Sequence, residues 1–112
     1  MRLMLGDEIA LGPGKADLLE GIAETGSIAA AGRALDMSYK RAWMLVETMN
    51  RCFRNPLVKA GRGGRQGGGA ILTVQGRKVL DAYRRMEKQA DKAVAAEMRT
   101  LQRMLRDISG KQ

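Results

Sequence analysis

Residues 27–53 read SIAAAGRALDMSYKRAWMLVETMNRCF, from Ser27 to Phe53. Ser27 is a strong N-cap type, because its short side-chain oxygen can accept from a backbone N–H left free in a first helical turn. Ile28, Ala31 and Leu35 follow at i, i+3, i+7 and give a short helix one apolar stripe. That helix ends near Leu35. Asp36 tolerates a left-handed turn conformation better than most residues that carry a side chain. Met37 is apolar and Ser38 is a second capping residue. A third helix is expected from about 39 to 53, burying Ala42, Leu45, Val46, Met49 and Phe53, and Asn55-Pro56 stops it. Gly32, four residues before Asp36, sits where two helices can cross closely. Helix, tight turn, helix is the pattern of a DNA-binding helix-turn-helix. An ordinary helical hairpin uses the same caps and stripes, so the flanking elements and the charge must separate the two.

Upstream, Arg2-Leu3-Met4-Leu5 and Ile9-Ala10-Leu11 flank Gly6-Asp7-Glu8 and read as a small hairpin or an edge strand. Pro13 suits a helix start, where its missing N–H would be unpaired anyway. Leu18, Leu19, Ile22 and Ala23 place the first helix at about 13 to 25, with Gly26 as its left-handed C-terminal residue. Downstream, Leu57-Val58-Lys59-Ala60 reads as a strand and Ala70-Ile71-Leu72-Thr73 as the strand that returns. Between them, residues 61–69 hold six glycines in nine positions, with Arg62 and Arg65. Strand, loop, strand after a helix-turn-helix is the order of a winged helix, with a wing at about 57–73. A plain hairpin tip is the blander alternative. A nucleotide-phosphate loop fits poorly, since the Gly-x-Gly-x-x-Gly register fails and no Gly-Lys-Ser/Thr closes the run.

Thr73 can cap a last helix from about 74 to 106. Val79, Tyr83, Met86, Ala90, Val94, Met98, Leu101, Leu105 and Ile108 recur along it at spacings of three and four. A helix of about 30 residues spans roughly 45 Å, longer than the unit before it. Much of its stripe therefore needs a partner, and the same helix of a second chain is the simple one. The expected fold class is mainly α with a small β hairpin: a winged helix-turn-helix over 1–73, then a long dimerisation helix and tail over 74–112.

The 112 residues carry a net charge of +8, unevenly placed. Residues 1–27 hold two basic and five acidic groups, residues 28–69 eight and two, and residues 70–112 ten and five. A basic middle behind an acidic start is the footprint of a polyanion-binding face, although a solvated charge excess looks the same in composition. Histidine is absent, which removes His-based acid–base pairs and triads. With one cysteine, Cys52, there is neither an intrachain disulfide nor a Cys/His zinc set, as expected of a chain in a reducing cytoplasm. Neither a membrane span nor a signal peptide is legible. The expectation is a non-enzyme with no cofactor and no metal.

Three motifs in order then resemble the N-terminal domain of the ModE-type molybdate-responsive regulators. They are Gly26-Ser27-Ile28-Ala29, Met37-Ser38-Tyr39-Lys40-Arg41-Ala42-Trp43 with Met49-Asn50, and the wing Gly63-Gly64-Arg65-Gln66-Gly67-Gly68-Gly69-Ala70 followed by Leu72-Thr73 and Gly76. The helix-turn-helix is also similar to that of LysR-type regulators. The resemblance covers about residues 12–90. It implies a DNA-binding winged helix-turn-helix that dimerises through flanking helices, and a C-terminal oxyanion-binding module for molybdate or tungstate. No such module is legible in these 112 residues, so molybdate binding by them is not expected.

On this reading the third helix enters the major groove with its N-terminal residues foremost. Ser38 and Tyr39 can donate to phosphates or base edges, Lys40 and Arg41 bring charge, and Trp43 and Met44 lie off the buried stripe. Packing against a neighbouring helix is the alternative for Trp43. Arg62 and Arg65 would meet the backbone or minor groove. Arg33, Arg51, Arg54 and Lys59 are weaker phosphate candidates. The expected partners are double-stranded DNA and a second copy of the chain. A basic architectural or interaction protein that recruits a separate sensor chain is the competing reading.

Overall fold

The structure, a computed structural model, describes residues 1–61 and 69–106. Three hydroxyl caps set the starts of three helices. Ser27 Oγ accepts from Ala30 N, Ser38 Oγ from Arg41 N and Thr73 Oγ1 from Gly76 N. A first helix, α1, runs Pro13–Thr25, opens with proline in its first turn and ends on Gly26 at φ 71°. The second, α2, is Ile28–Ala34, and the third, α3, is Tyr39–Cys52, one residue shorter than expected because Phe53 leaves helical geometry as its C-cap. Between α2 and α3, Asp36 takes φ 58° as its side chain permits. The turn closes on α2: Leu35 N and Met37 N both donate to Gly32 O, at 3.0 and 2.9 Å.

The strands pair only as hairpins. Leu3–Leu5 (β1) lies antiparallel to Glu8–Leu11 (β2), and Val58–Gly61 (β3) to Gly69–Leu72 (β4) in the register Val58↔Leu72 to Gly61↔Gly69. Both hairpins stand where the sequence placed them, the second shifted by one residue. The last helix, α4, spans Val74–Met104. None of the helices among the described residues is long and apolar enough to cross a membrane.

One core joins the elements. Leu18, Leu19 and Ile22 of α1 meet Ala31 of α2, Ala42, Val46 and Met49 of α3, Leu57 and Val58, Ala70 of β4, and Leu80 and Tyr83 of α4. Leu45 and Phe53, expected inside, are only partly buried against it. Ala23, expected on the inner face of α1, is exposed, since Leu18, Leu19 and Ile22 already fill that face. Along α4 the inner face is Gly76, Leu80 and Tyr83; beyond it Met86, Val94, Met98, Leu101, Met104 and Leu105 are exposed. The apolar row therefore outlasts the core that its own chain offers.

Two further ties orient α4. Arg84 lies on its polar row by sequence, but the fold brings α1 against it. Its guanidinium donates to Glu20 at 2.7 and 3.0 Å, to Asp17 at 2.9 Å and to Glu87 at 2.9 Å. Burial alone would lower its pKa, but the hydrogen bonds it donates to Asp17, Glu87 and Glu20 outweigh it and raise the value. The Tyr83 hydroxyl donates to Met1 O at 2.8 Å, and burial raises its pKa.

Candidate nucleic-acid interface

The front of α3 is set by what lies behind it. Ala42, Val46 and Met49 are buried, and at about 100° per residue this leaves Lys40, Met44 and Glu47 facing away from the core. The helices α2 and α3 cross tightly enough that a Cβ on Gly32 would stand 2.9 Å from Ala42 Cβ. Small residues at the crossing hold α3 low against α2 and lift its outer face clear of the domain.

Ser38, Tyr39, Lys40, Arg41, Trp43 and Met44 are all exposed, so the predicted group is gathered at the N-terminal half of one helix. They do not form one face. Lys40 and Met44 point outward, and Arg41 turns to one flank with Thr48. Tyr39 and Trp43 turn to the other flank, where they line a cleft of about 390 Å³ between α3, the start of α2 and the β3–β4 hairpin. Trp43 is 41% exposed and is not taken up by packing between helices. Ser38 spends its lone pair on Arg41 N at 3.1 Å, and its O–H remains able to donate.

The weaker phosphate candidates divide. Arg33, Arg54 and Lys59 are exposed. Arg51 is held by Glu8 of β2 at 2.8 Å, which raises its pKa and turns it to the N-terminal hairpin. Arg62 and Arg65 lie outside the described residues. No cluster of three or more His, Cys, Asp or Glu that could hold a metal occurs among the described residues.

Sequence reasoning noted Asn50 only within a motif, and the structure gives it a job. Its Oδ1 accepts from Leu57 N at 2.8 Å and Val58 N at 3.2 Å, and its Nδ2 donates to Val58 O at 3.0 Å. One amide thus fixes the start of β3 on the back of α3 and sets the hairpin's position relative to the helix. At the same end of the hairpin Thr73 Oγ1 donates to Pro56 O at 2.7 Å and Thr73 N to Leu57 O at 2.9 Å, and further along β4 Ala70 N donates to Gly26 O at 2.9 Å. Nothing in the spacing of Asn50 distinguishes it from a surface asparagine, since its partners come from the next element.

A lifted α3 beside a hairpin that is pinned to it makes this a winged helix-turn-helix domain. The DNA-binding domain of CbnR, solved as a complex with DNA, shares the fold with a TM-score of 0.62, over 78% of this chain and 94% of that one at 20% identity. No protein-family model matches the chain. Curated relatives do. It is 42% identical over 86 residues to the molybdenum-pterin-binding protein MopB of Rhodobacter capsulatus, covering 77% of this chain. It is 42% identical over 85 residues to the molybdenum transport protein ModE of Azotobacter vinelandii, and 35% identical over 83 to the DNA-binding transcriptional dual regulator ModE of Escherichia coli K12. The chain is homologous to the N-terminal part of these ModE and Mop proteins. It spans about a third of the length of these relatives, 32% in each case.

Proposed function

We propose that the chain is a dimeric, sequence-specific DNA-binding transcription regulator. Residues 1–73 form the reading unit and residues 74–112 the dimerisation helix and tail. The observation that carries this is the outward face of α3: a basic, exposed N-terminal half on a helix whose opposite side buries Ala42, Val46 and Met49. The N-terminus of α3 enters the major groove, with Lys40 and Arg41 supplying charge and Ser38 a donor. Arg62 and Arg65 reach the backbone or the minor groove. Two copies joined through α4 read two half-sites. Such a protein acts beside the chromosome, in the cytoplasm, and performs no chemistry of its own. We place no molybdate site in these residues, because the family resemblance assigns the oxyanion to a C-terminal module and the chain corresponds to the N-terminal part.

Selection of bound duplexes from a random library, followed by anisotropy titration, tests the reading. A palindromic motif is expected, with binding that weakens by orders of magnitude between about 50 and 200 mM salt. Lys40→Ala and Arg65→Ala should both bind less tightly while folding normally. Salt-insensitive binding, or equal affinity of both variants and the parent, would sink it. The competing reading, a basic protein that recruits a separate sensor chain, draws on the exposed row of α4 and predicts equal affinity for unrelated DNA and RNA.

A further inference from the structure

The six residues at the start of α3 divide between two surfaces, and the division assigns them different work. We infer that the cleft beside α3 seats a single DNA sugar-phosphate strand, with Tyr39, Trp43 and Lys59 holding phosphates, while base reading is left to the outward residues around Lys40 and Met44. The inference rests on the regulator reading and deepens it.

Three observations lead to it. The first is position. The cleft lies between α3 on one side and β3–β4 on the other, with Ser27 at its end. In B-DNA one backbone strand separates the major groove from the adjacent minor groove. A protein with its helix in the first and its hairpin at the second must let that strand pass between them.

The second is charge. The residues that line the cleft include one cation, Lys59, and no carboxylate. Acidic side chains lie outside it: Glu47, one turn beyond Trp43 on α3, is not among the lining residues, and Glu8 is held by Arg51. A phosphodiester meets no like charge inside the cleft.

The third is donor supply. Asn50 also lines the cleft, but its amide is committed to Leu57 and Val58. The Tyr39 hydroxyl, the Trp43 indole N–H and the Lys59 ammonium make no hydrogen bond to protein among the described residues, and all three side chains are exposed. Neutral and cationic donors of this kind fix register on a duplex without reading its sequence. Tyr39 and Trp43 stand four residues apart, one above the other on α3, so they contact neighbouring points along one strand. An apolar small molecule in the same cleft would leave these donors unused.

Trp43 is the only tryptophan, so its emission reports on the cleft alone. Duplexes of several unrelated sequences are titrated while anisotropy and Trp43 emission are recorded together. Every duplex that binds should change the emission. Trp43→Phe keeps the ring and removes the N–H. It should weaken all duplexes alike, by about two- to tenfold, the range for one net hydrogen bond. Lys59→Ala, at an exposed position, should reduce the slope of log affinity against log salt by about 1 and leave the ranking of sequences unchanged. Lys40→Ala should alter that ranking.

Binding seen by anisotropy with unmoved Trp43 emission overturns the cleft assignment alone. So does an unchanged salt slope in Lys59→Ala, or a reordering of preferred sequences in Trp43→Phe. Emission that responds to a small apolar molecule and not to DNA identifies the cleft as a ligand pocket and overturns the assignment too. No anisotropy change with any duplex removes the regulator reading, and the cleft assignment with it.

Discussion

Asn50 and Gly76 show what single residues do for this interface from outside it. Replacing Asn50 by alanine strands Leu57 N, Val58 N and Val58 O at a partly buried site. Unsatisfied buried groups cost about 1–3 kcal/mol each, and water reaches some of these, so Asn50→Ala should lose about 2–3 kcal/mol in urea unfolding. Asn50→Asp keeps the two acceptor contacts and loses the donor to Val58 O, so it should fall between alanine and the parent. DNA affinity should drop in both, because β3 is no longer pinned to α3. Equal stability of all three proteins would contradict this. Gly76 sits against Leu57: a Cβ there would run into Leu57 O and lie 3.0 Å from its carbonyl carbon. Backbone cannot step aside as a side chain can. Gly76→Ala should therefore cost more than about 2 kcal/mol, despite the roughly 1 kcal/mol that alanine contributes to a helix over glycine. In the sequence Gly76 is merely a glycine in a first helical turn. Its reason is a carbonyl at the far end of the hairpin, which no local pattern can announce. Ser27, Ser38 and Thr73 were legible for the opposite reason: a cap acts on its own next turn.

At the scale of elements, caps and apolar spacing located the helices found among the described residues, because each helix must show one apolar stripe to one core, and the apolar runs around the Gly-rich segment located β3 and β4 to within one residue. What it could not show is how far that core reaches along α4. The same spacing continues from Val79 to Leu105, but of that row only Tyr83 is buried in the core, with Val79 partly buried against it; Leu80, which the spacing left out, takes the other core position, since α1 and the N-terminal hairpin end there. It also missed the clamp between α1 and α4. Asp17 and Glu20 read as solvated charges until the fold brings Arg84 between them. That guanidinium remains 30% exposed, so solvent screens the pairs and Arg84→Ala should cost only about 1 kcal/mol. The cost should shrink in high salt; a loss above about 3 kcal/mol would contradict a solvent-screened clamp. Tyr83 gives the same junction a pH signature. An unfolded tyrosine ionises near 10.0, and burial holds Tyr83 above that in the fold. Between the two values the unfolded chain has lost a proton that the native chain keeps, so stability falls as pH rises from 10.0 through the folded value. Below 10.0 both states are protonated and the difference vanishes. Tyr83→Phe should remove this alkaline loss, read as the difference from the parent in denaturant melts, while giving up about 1 kcal/mol at neutral pH with the bond to Met1 O.

The described residues extend 57 Å along the longest axis and 31 and 23 Å across, and the long dimension matches the reach of α4. Its distal turns carry Val94, Met98, Leu101, Met104 and Leu105 in the open, on a helix whose other face is crowded with Lys and Arg. An isolated helical arm in water gains little from propensity alone, since most helical stability in proteins comes from burying an apolar face. Each fully covered Leu or Met in such a row contributes about 1.5–3 kcal/mol, so a row of five against its own copy is enough to offset the entropy of association. In the proposed dimer the helix that leaves the core carries the contact, so the reading of two half-sites calls for no separate dimerisation domain. Leu101 lies at its middle and touches nothing in the domain core, so Leu101→Asp should leave the winged helix folded and separate the dimer. Light scattering should give the dimer mass for the parent and the monomer mass for the variant at micromolar concentration. Near-UV circular dichroism from Tyr83 and the core should be unchanged. On a palindromic duplex the variant should bind at least about tenfold more weakly, while on a single half-site the two proteins should bind alike, since only the linkage between reading heads has been cut. A parent that is monomeric at all concentrations, or a variant that remains dimeric, would move the dimer contact off α4 or abolish it.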